Sequence, residues 1–201
     1  MPVTGPAPGR LEHLRAFVNT LDIEAGTDEL DSPAAVAGWL RSRELIPGPV
    51  SASAGDLRRA VGLREALREL LSGHVGTGHR ADVPLAGLRA ITGGLAARIE
   101  IGDDGSVRAA PAGGAVADGL AALMLIAAEA STLGTWQRLK VCSADDCRWA
   151  FYDRSPARTG CWCSMAVCGS RAKSRAFRRR SAAAAELAGG PRSEGTARLP
   201  G

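Results

Sequence analysis

Leu11, Leu14, Phe17/Val18 and Leu21 recur at three- and four-residue intervals, which predicts a first amphipathic helix. Ser32-Pro33 then reads as a helix start, a capping serine followed by proline at the first helical position. Val36, Trp39 and Leu40 form the buried face of that helix, and Pro47-Gly48-Pro49 stops it. Ser53-x-x-Asp56 has the form of a capping box opening a longer helix. Its apolar stripe is Leu57, Val61 beside Ala60, Leu63, Leu67 and Leu70/Leu71, and Gly73 ends it. A further helix is predicted from about Pro84 through Leu85, Leu88, Ile91 and Leu95. The pattern then changes period. Arg98-Ile99-Glu100-Ile101 alternates, Asp104-Gly105 supplies a turn and Ser106-Val107-Arg108-Ala109 returns, which predicts a β-hairpin. Ala115 to Leu133 is apolar nearly all round and predicts a central buried helix with Gly134 at its C-cap.

Met1 to Gly9, rich in proline and glycine, is expected to be loose. Beyond Trp136 the pattern is different. Arg148-Trp149-Ala150-Phe151-Tyr152 suits a short strand, Asp153-Arg154-Ser155-Pro156 a turn, and Ser164 the N-cap of a helix reaching about Leu187. No internal repeat is present. The expected organisation is a helical domain over 10–134, a small second domain over 136–187 and a disordered Gly/Pro-rich tail over 188–201. The fold class is mainly α (α+β), a helical N-terminal domain with one hairpin plus a small cysteine-rich module.

Composition supports that picture. The chain has 201 residues, of which 45% are hydrophobic and only 4% aromatic, so small-residue helix packing is favoured over a β-sandwich. No apolar run approaches the roughly 20 residues of a membrane span, and the N-terminus lacks a hydrophobic signal region. A cytoplasmic protein is expected, and no membrane partner. Charge is distributed unevenly. From Arg138 to Arg180 there are eleven basic residues against Asp145, Asp146 and Asp153, a net +8 within a chain of +4. A basic module on an acidic body suits a polyanion, with nucleic acid as the first candidate and anionic lipid a weaker one. The alternative is a solvated charged helix.

The candidate chemistry lies in that module. Cys142-x4-Cys147-x15-Cys163-x4-Cys168 is a symmetric pair of chelating knuckles. Four thiolates in two local pairs satisfy a closed tetrahedral Zn²⁺ site, so one structural zinc is expected rather than a catalytic one. Four thiolates also satisfy an iron–sulfur cluster, and four buried cysteines could act as small hydrophobes. The paired spacing argues for a metal, and a knuckle, a short strand and a ligand-bearing helix argue for a treble-clef-like zinc finger. So small a module has little core, so the metal is expected to supply most of its folding free energy, on the order of 10–16 kcal/mol. Cys161 is left outside the site.

On the helix after Ser164, Arg171, Arg175 and Arg178 share one stripe, Arg179 lies beside it, and Lys173 and Arg180 point away. Cys168 is angularly close, so zinc would aim the stripe. These arginines and Lys173 are the candidate nucleic-acid contacts, since a guanidinium fork suits phosphate and guanine edges. Phe177 is read as a packing residue.

The segment Cys163-Ser164-Met165-Ala166-Val167-Cys168-Gly169-Ser170-Arg171-Ala172-Lys173 resembles the CGNR zinc finger, as do Arg138-Leu139-Lys140-x-Cys142, Cys147 and Phe151-Tyr152-Asp153-Arg154-Ser155. The family's naming tetrad stands here as Cys168-Gly169-Ser170-Arg171, with Ser for the usual Asn; a short hydroxyl still bonds locally, so the fold is expected to survive. Phe17-Val18-Asn19-Thr20-Leu21, Asp31-Ser32-Pro33 and Trp39-Leu40 are similar to the ABATE domain that precedes this finger in the family. Asn19-Thr20 is read as backbone-bonding rather than as a ligand site. The resemblance implies a bacterial transcriptional regulator that binds double-stranded DNA, with an N-terminal domain that senses a small molecule or forms a homodimer. An RNA- or protein-binding adaptor is the alternative, with Trp149, Phe151, Tyr152 and Trp162 as candidate stacking residues. An enzyme is not expected: His13, His74 and His79 form no metal or triad spacing, and Gly93-Gly94 and Gly113-Gly114 form no phosphate loop.

Overall fold

Capping chemistry sets the starts of two of the helices where the polar positions demand. In the computed structural model, which describes residues 4–75 and 85–188, α1 runs over Leu11–Val18 and buries Leu11, Leu14, Phe17 and Val18. Leu21 does not continue it. The helix stops at Asn19, and Leu21–Asp22 (β2) pairs antiparallel with Thr27–Asp28 (β3), a pair the periodicity did not reveal. Helix α2 (Pro33–Ser42) starts as predicted, with the Ser32 hydroxyl accepting from the Ala35 N–H at 3.2 Å. Helix α3 (Ala54–Ser72) opens on a full capping box, Ser53 and Asp56 bonding each other's backbone N–H. Helix α4 spans Leu85–Thr92; Pro84, its expected start, and His79 lie outside the described residues, as does the tail from 189.

The hairpin forms as β4 (Ala97–Ile101) and β5 (Val107–Pro111), in register Ile99 to Ala109 and Ile101 to Val107. Its turn holds Gly105 at a φ of 77° with the Asp104 carboxylate accepting from the Ser106 N–H. Alternation is present but faces outward: Ile99, Ile101 and Val107 are exposed, while half-buried Glu100 pairs with Arg98 and Arg108. Helix α5 (Ala115–Thr132) is the central helix, packed by α1, α2, α3 and β5, and Gly134 closes it at a φ of 67°. It is apolar and long enough to cross a membrane, yet half of it is buried within the fold.

After a single turn at Trp136–Arg138 come β6 (Leu139–Val141) and β7 (Ala150–Asp153), an antiparallel pair. Thr4–Gly5 (β1) adds to the free edge of β7, pairing with Asp153 and Tyr152. The N-terminal residues expected to be loose are therefore held from Thr4 onward. Backbone groups on the β7 edge need partners, Glu12 accepts from the Ala7 N–H at 2.7 Å, and Arg154 donates to the Pro6 carbonyl. Leu139, Val141, Ala150 and Tyr152 belong to the same apolar cluster as α1, α3 and α5. The finger's first half thus does have a core, correcting the expectation that so small a module has little of one. The chain divides into two units, Met1–Cys163 and Ser164–Gly201; helix α6 (Ser170–Ala188) belongs to the second.

Candidate metal centre

Cys142 leaves β6 directly into a tight loop. Its N–H donates to the Trp149 carbonyl at 2.9 Å, and the N–H groups of Cys147 and Arg148 both donate to the Ala144 carbonyl. Arg148 takes the left-handed φ of 49° that reverses the chain into β7. Two side chains tie this knuckle to the helical body. Asn19 bonds Ala150 reciprocally, its amide donating to the carbonyl at 2.9 Å and its oxygen accepting the N–H at 2.7 Å. Arg68, 1% exposed, donates to the carbonyls of Arg148, Val18 and Leu21. One turn earlier, Arg64 forks onto the Asp28 carboxylate at 2.6 and 2.9 Å and holds Thr20. Asn19 and Thr20 are thus structural, as their reading proposed. The two arginines were missed. Their signal was a pair of cations four residues apart on the Leu63/Leu67/Leu71 face, which the apolar stripe should have excluded.

The loop from β7 back to the cysteines has its own framework. Lys140, 1% exposed, donates to the Asp153 carboxylate at 2.9 Å and to the carbonyls of Arg158 and Gly160. Asp153 also accepts the N–H groups of Ser155 and Gly160, and Arg138 donates to the carbonyls of Asp153 and Ser155. Burial works against ionisation of Asp153, but these bonds, led by Lys140, bring its pKa down to about 2. The Arg-Leu-Lys and Tyr-Asp-Arg-Ser motifs therefore read as loop architecture.

The sulfurs of Cys142, Cys147, Cys163 and Cys168 all lie within 4.8 Å of one another, and those of Cys147 and Cys163 are 3.6 Å apart. A tetrahedral ion with sulfur bonds near 2.3 Å separates its ligands by about 3.8 Å, so the cluster has the dimensions of a four-thiolate centre. The Cys163 thiol is pushed far up, first by its hydrogen bond with Cys142, then by burial and by Cys147. Thiols this crowded ionise together only beside a cation, which is the chemistry a metal supplies. Cys161 stays outside the cluster; its carbonyl accepts from the Ser143 N–H at 2.9 Å.

Residues 138–181 match the family model of the CGNR zinc finger, and residues 15–135 match ABATE, described as a putative stress-induced transcription regulator. The second match alone spans more than half of the chain. The chain belongs to the ABATE family and carries a CGNR zinc finger. No curated protein matches it. The cysteine cluster is accordingly the metal-binding centre of the finger.

In the second unit, Ser164 caps the start of the basic helix by accepting from the Val167 N–H. The first turn is wide, the Gly169 N–H reaching back five residues to the Ser164 carbonyl. Ser170, which replaces the family's Asn, donates to the Met165 carbonyl at 3.3 Å, so the substituted position still bonds locally. Arg171, Arg175 and Arg178 line one groove with Ser170 and Ser174, as their spacing predicts. Lys173 and Arg179 are exposed outside it. Phe177 is 64% exposed and does not pack, contrary to its reading. Of the four proposed stacking residues, Phe151 and Tyr152 are buried and Trp149 and Trp162 half-buried.

Proposed function

We propose that this protein is a cytoplasmic, zinc-dependent, DNA-binding transcriptional regulator. One structural Zn²⁺ is held by Cys142, Cys147, Cys163 and Cys168; zinc is preferred to an iron–sulfur cluster because the finger family is built on it. Four protein ligands leave no open position for substrate, so the role is binding rather than catalysis. Helix α6, through Arg171, Lys173, Arg175, Arg178 and Arg179, contacts the duplex, and the ABATE region receives the signal or pairs with a second copy.

The observation that carries the reading is α6 itself. Within Ser170–Ala188 stand Arg171, Lys173, Arg175, Arg178, Arg179 and Arg180 against the single acid Glu186. Three of the arginines share a groove with the hydroxyls of Ser170 and Ser174, a cationic surface suited to phosphate. If about six phosphates are neutralised, log affinity falls with log salt at a slope of roughly −5, about a thousand-fold between roughly 50 and 200 mM. Fluorescence anisotropy with a labelled duplex measures that slope, and Arg171→Glu/Arg175→Glu is expected to flatten it. Negligible binding at both salt concentrations contradicts the reading. Exposed Phe177 on so basic a helix favours a second reading, RNA binding by stacking, which predicts that single-stranded RNA outcompetes the duplex.

A further inference from the structure

Three of the four cysteines, Cys142, Cys147 and Cys163, belong to the unit Met1–Cys163. Cys163 stands at the end of a segment, 154–163, that has no helix or strand of its own. Such a loop ordinarily samples many conformations, and ordering it for a metal costs affinity. Here one buried ion pair bonds the loop at several points along its length. The Asp153 carboxylate collects three donors: the Lys140 ammonium, the Ser155 N–H and the Gly160 N–H, at 2.9, 2.9 and 2.8 Å. Lys140 uses its remaining protons on the carbonyls of Arg158 and Gly160 at 2.5 and 3.2 Å. Both side chains are essentially without solvent, 1% and 0% exposed. Gly160 fits because it has no side chain: a Cβ there would meet the Asp153 carboxylate at 2.9–3.1 Å.

The location of the pair matters as much as its bonding. Lys140 lies on β6, two residues before Cys142, so the clamp attaches the loop to the strand that delivers the first thiol. A second tie, from the Ser143 N–H to the Cys161 carbonyl at 2.9 Å, joins the residue after Cys142 to the residue two before Cys163. A buried ion pair is a poor device for stability alone, since an apolar pair of similar volume does as well or better. What it supplies is one loop geometry.

We infer that Lys140 and Asp153 are positioning residues of the metal centre. They hold Cys163 beside Cys142 and Cys147 in the metal-free protein and thereby set the affinity for the ion. The inference rests on the four cysteines being a metal centre, and the test separates the two. The full-length chain, stripped of metal under reducing conditions, is titrated with Co²⁺ followed by its thiolate absorption, then with Zn²⁺ against a competing chelator. Compared with it are the apolar double variant Lys140→Met/Asp153→Leu and Gly160→Ala, which keeps both charged residues and crowds the Asp153 carboxylate. Outer partners of metal ligands typically govern affinity by about 10–100-fold, and a loss of that size is expected in both variants, with the four-thiolate spectrum retained. Affinities are compared at a temperature where circular dichroism shows each metal-free variant fully folded, so that a loss of affinity at retained fold marks positioning, which a purely structural role would not give. Should the double variant not fold, Gly160→Ala decides by the same criterion. Hydrogen exchange on the metal-free parent adds an independent arm: the amides of Ser155 and Gly160 are expected to be protected. Folded variants with parental affinity, or unprotected amides, overturn the positioning role while leaving the metal centre standing. A parent chain that binds no metal overturns both.

Discussion

Asp153 shows how a single carboxylate ties chain, packing and pH together. Its pKa of about 2, against an ordinary 3.8, reflects hydrogen bonds that outweigh burial. A carboxylate depressed on folding contributes stability that is fully present above its unfolded pKa and is lost as pH falls through the folded one. The contribution is about 2 kcal/mol above pH 4, fading between roughly pH 4 and pH 2. Metal-free protein, unfolded by urea at a series of acidic pH values, is expected to show this limb, and Asp153→Asn to lack it. Identical pH slopes for the two proteins would contradict the assignment. Arg64 and Arg68 teach the complementary lesson. Hydrophobic periodicity identified the face of α3 but not the cations within it, because their partners are far away in sequence: the carbonyls of Val18, Leu21 and Arg148 for Arg68, and the Asp28 carboxylate for Arg64. Asn19 was legible because a polar pair closing a helix usually bonds backbone; its partner, Ala150, was not.

At the level of elements, helix starts were the most readable features, since Ser32-Pro33 and Ser53-x-x-Asp56 encode their caps locally. The two-residue strands β1, β2 and β3 were not, as their pairing follows from tertiary partners rather than from any alternation. The direction of the hairpin was hidden for a related reason: period two says which residues share a face, not which face meets the core. Packing adds a test on α5. Gly119 lies where α5 approaches α2, and a Cβ there would meet the two Leu40 methyl carbons at 2.8 and 2.9 Å and Ile46 at 3.1 Å. Leu40 is fully buried, so it has little room to yield. Gly119→Ala gains about 1 kcal/mol of helix propensity but incurs overpacking of about 1–3 kcal/mol, and net destabilisation is expected in urea unfolding. An increase in stability would mean that the α5–α2 contact is looser than described.

On the scale of the whole molecule, the CGNR finger does not coincide with one packing unit. Its first knuckle and Cys163 fall in the unit built on the helical body, whereas Cys168 and α6 fall in the other. The cysteine spacing made the ligand set legible from sequence, because chelation is a local geometric demand. The shared core of β6 and β7 with α1, α3 and α5 was not legible, because it depends on contacts distant in sequence, those with α1 spanning more than a hundred residues. It follows that removing metal should leave the helical body folded and act on the basic helix's function. The most direct test is duplex-DNA affinity of one sample in reducing buffer, measured as isolated, after chelation, and after stoichiometric Zn²⁺ is returned. The account predicts binding, loss of binding with far-ultraviolet helicity largely kept, and recovery. Affinity that is unchanged by chelation, or lost and not restored by zinc, would contradict it.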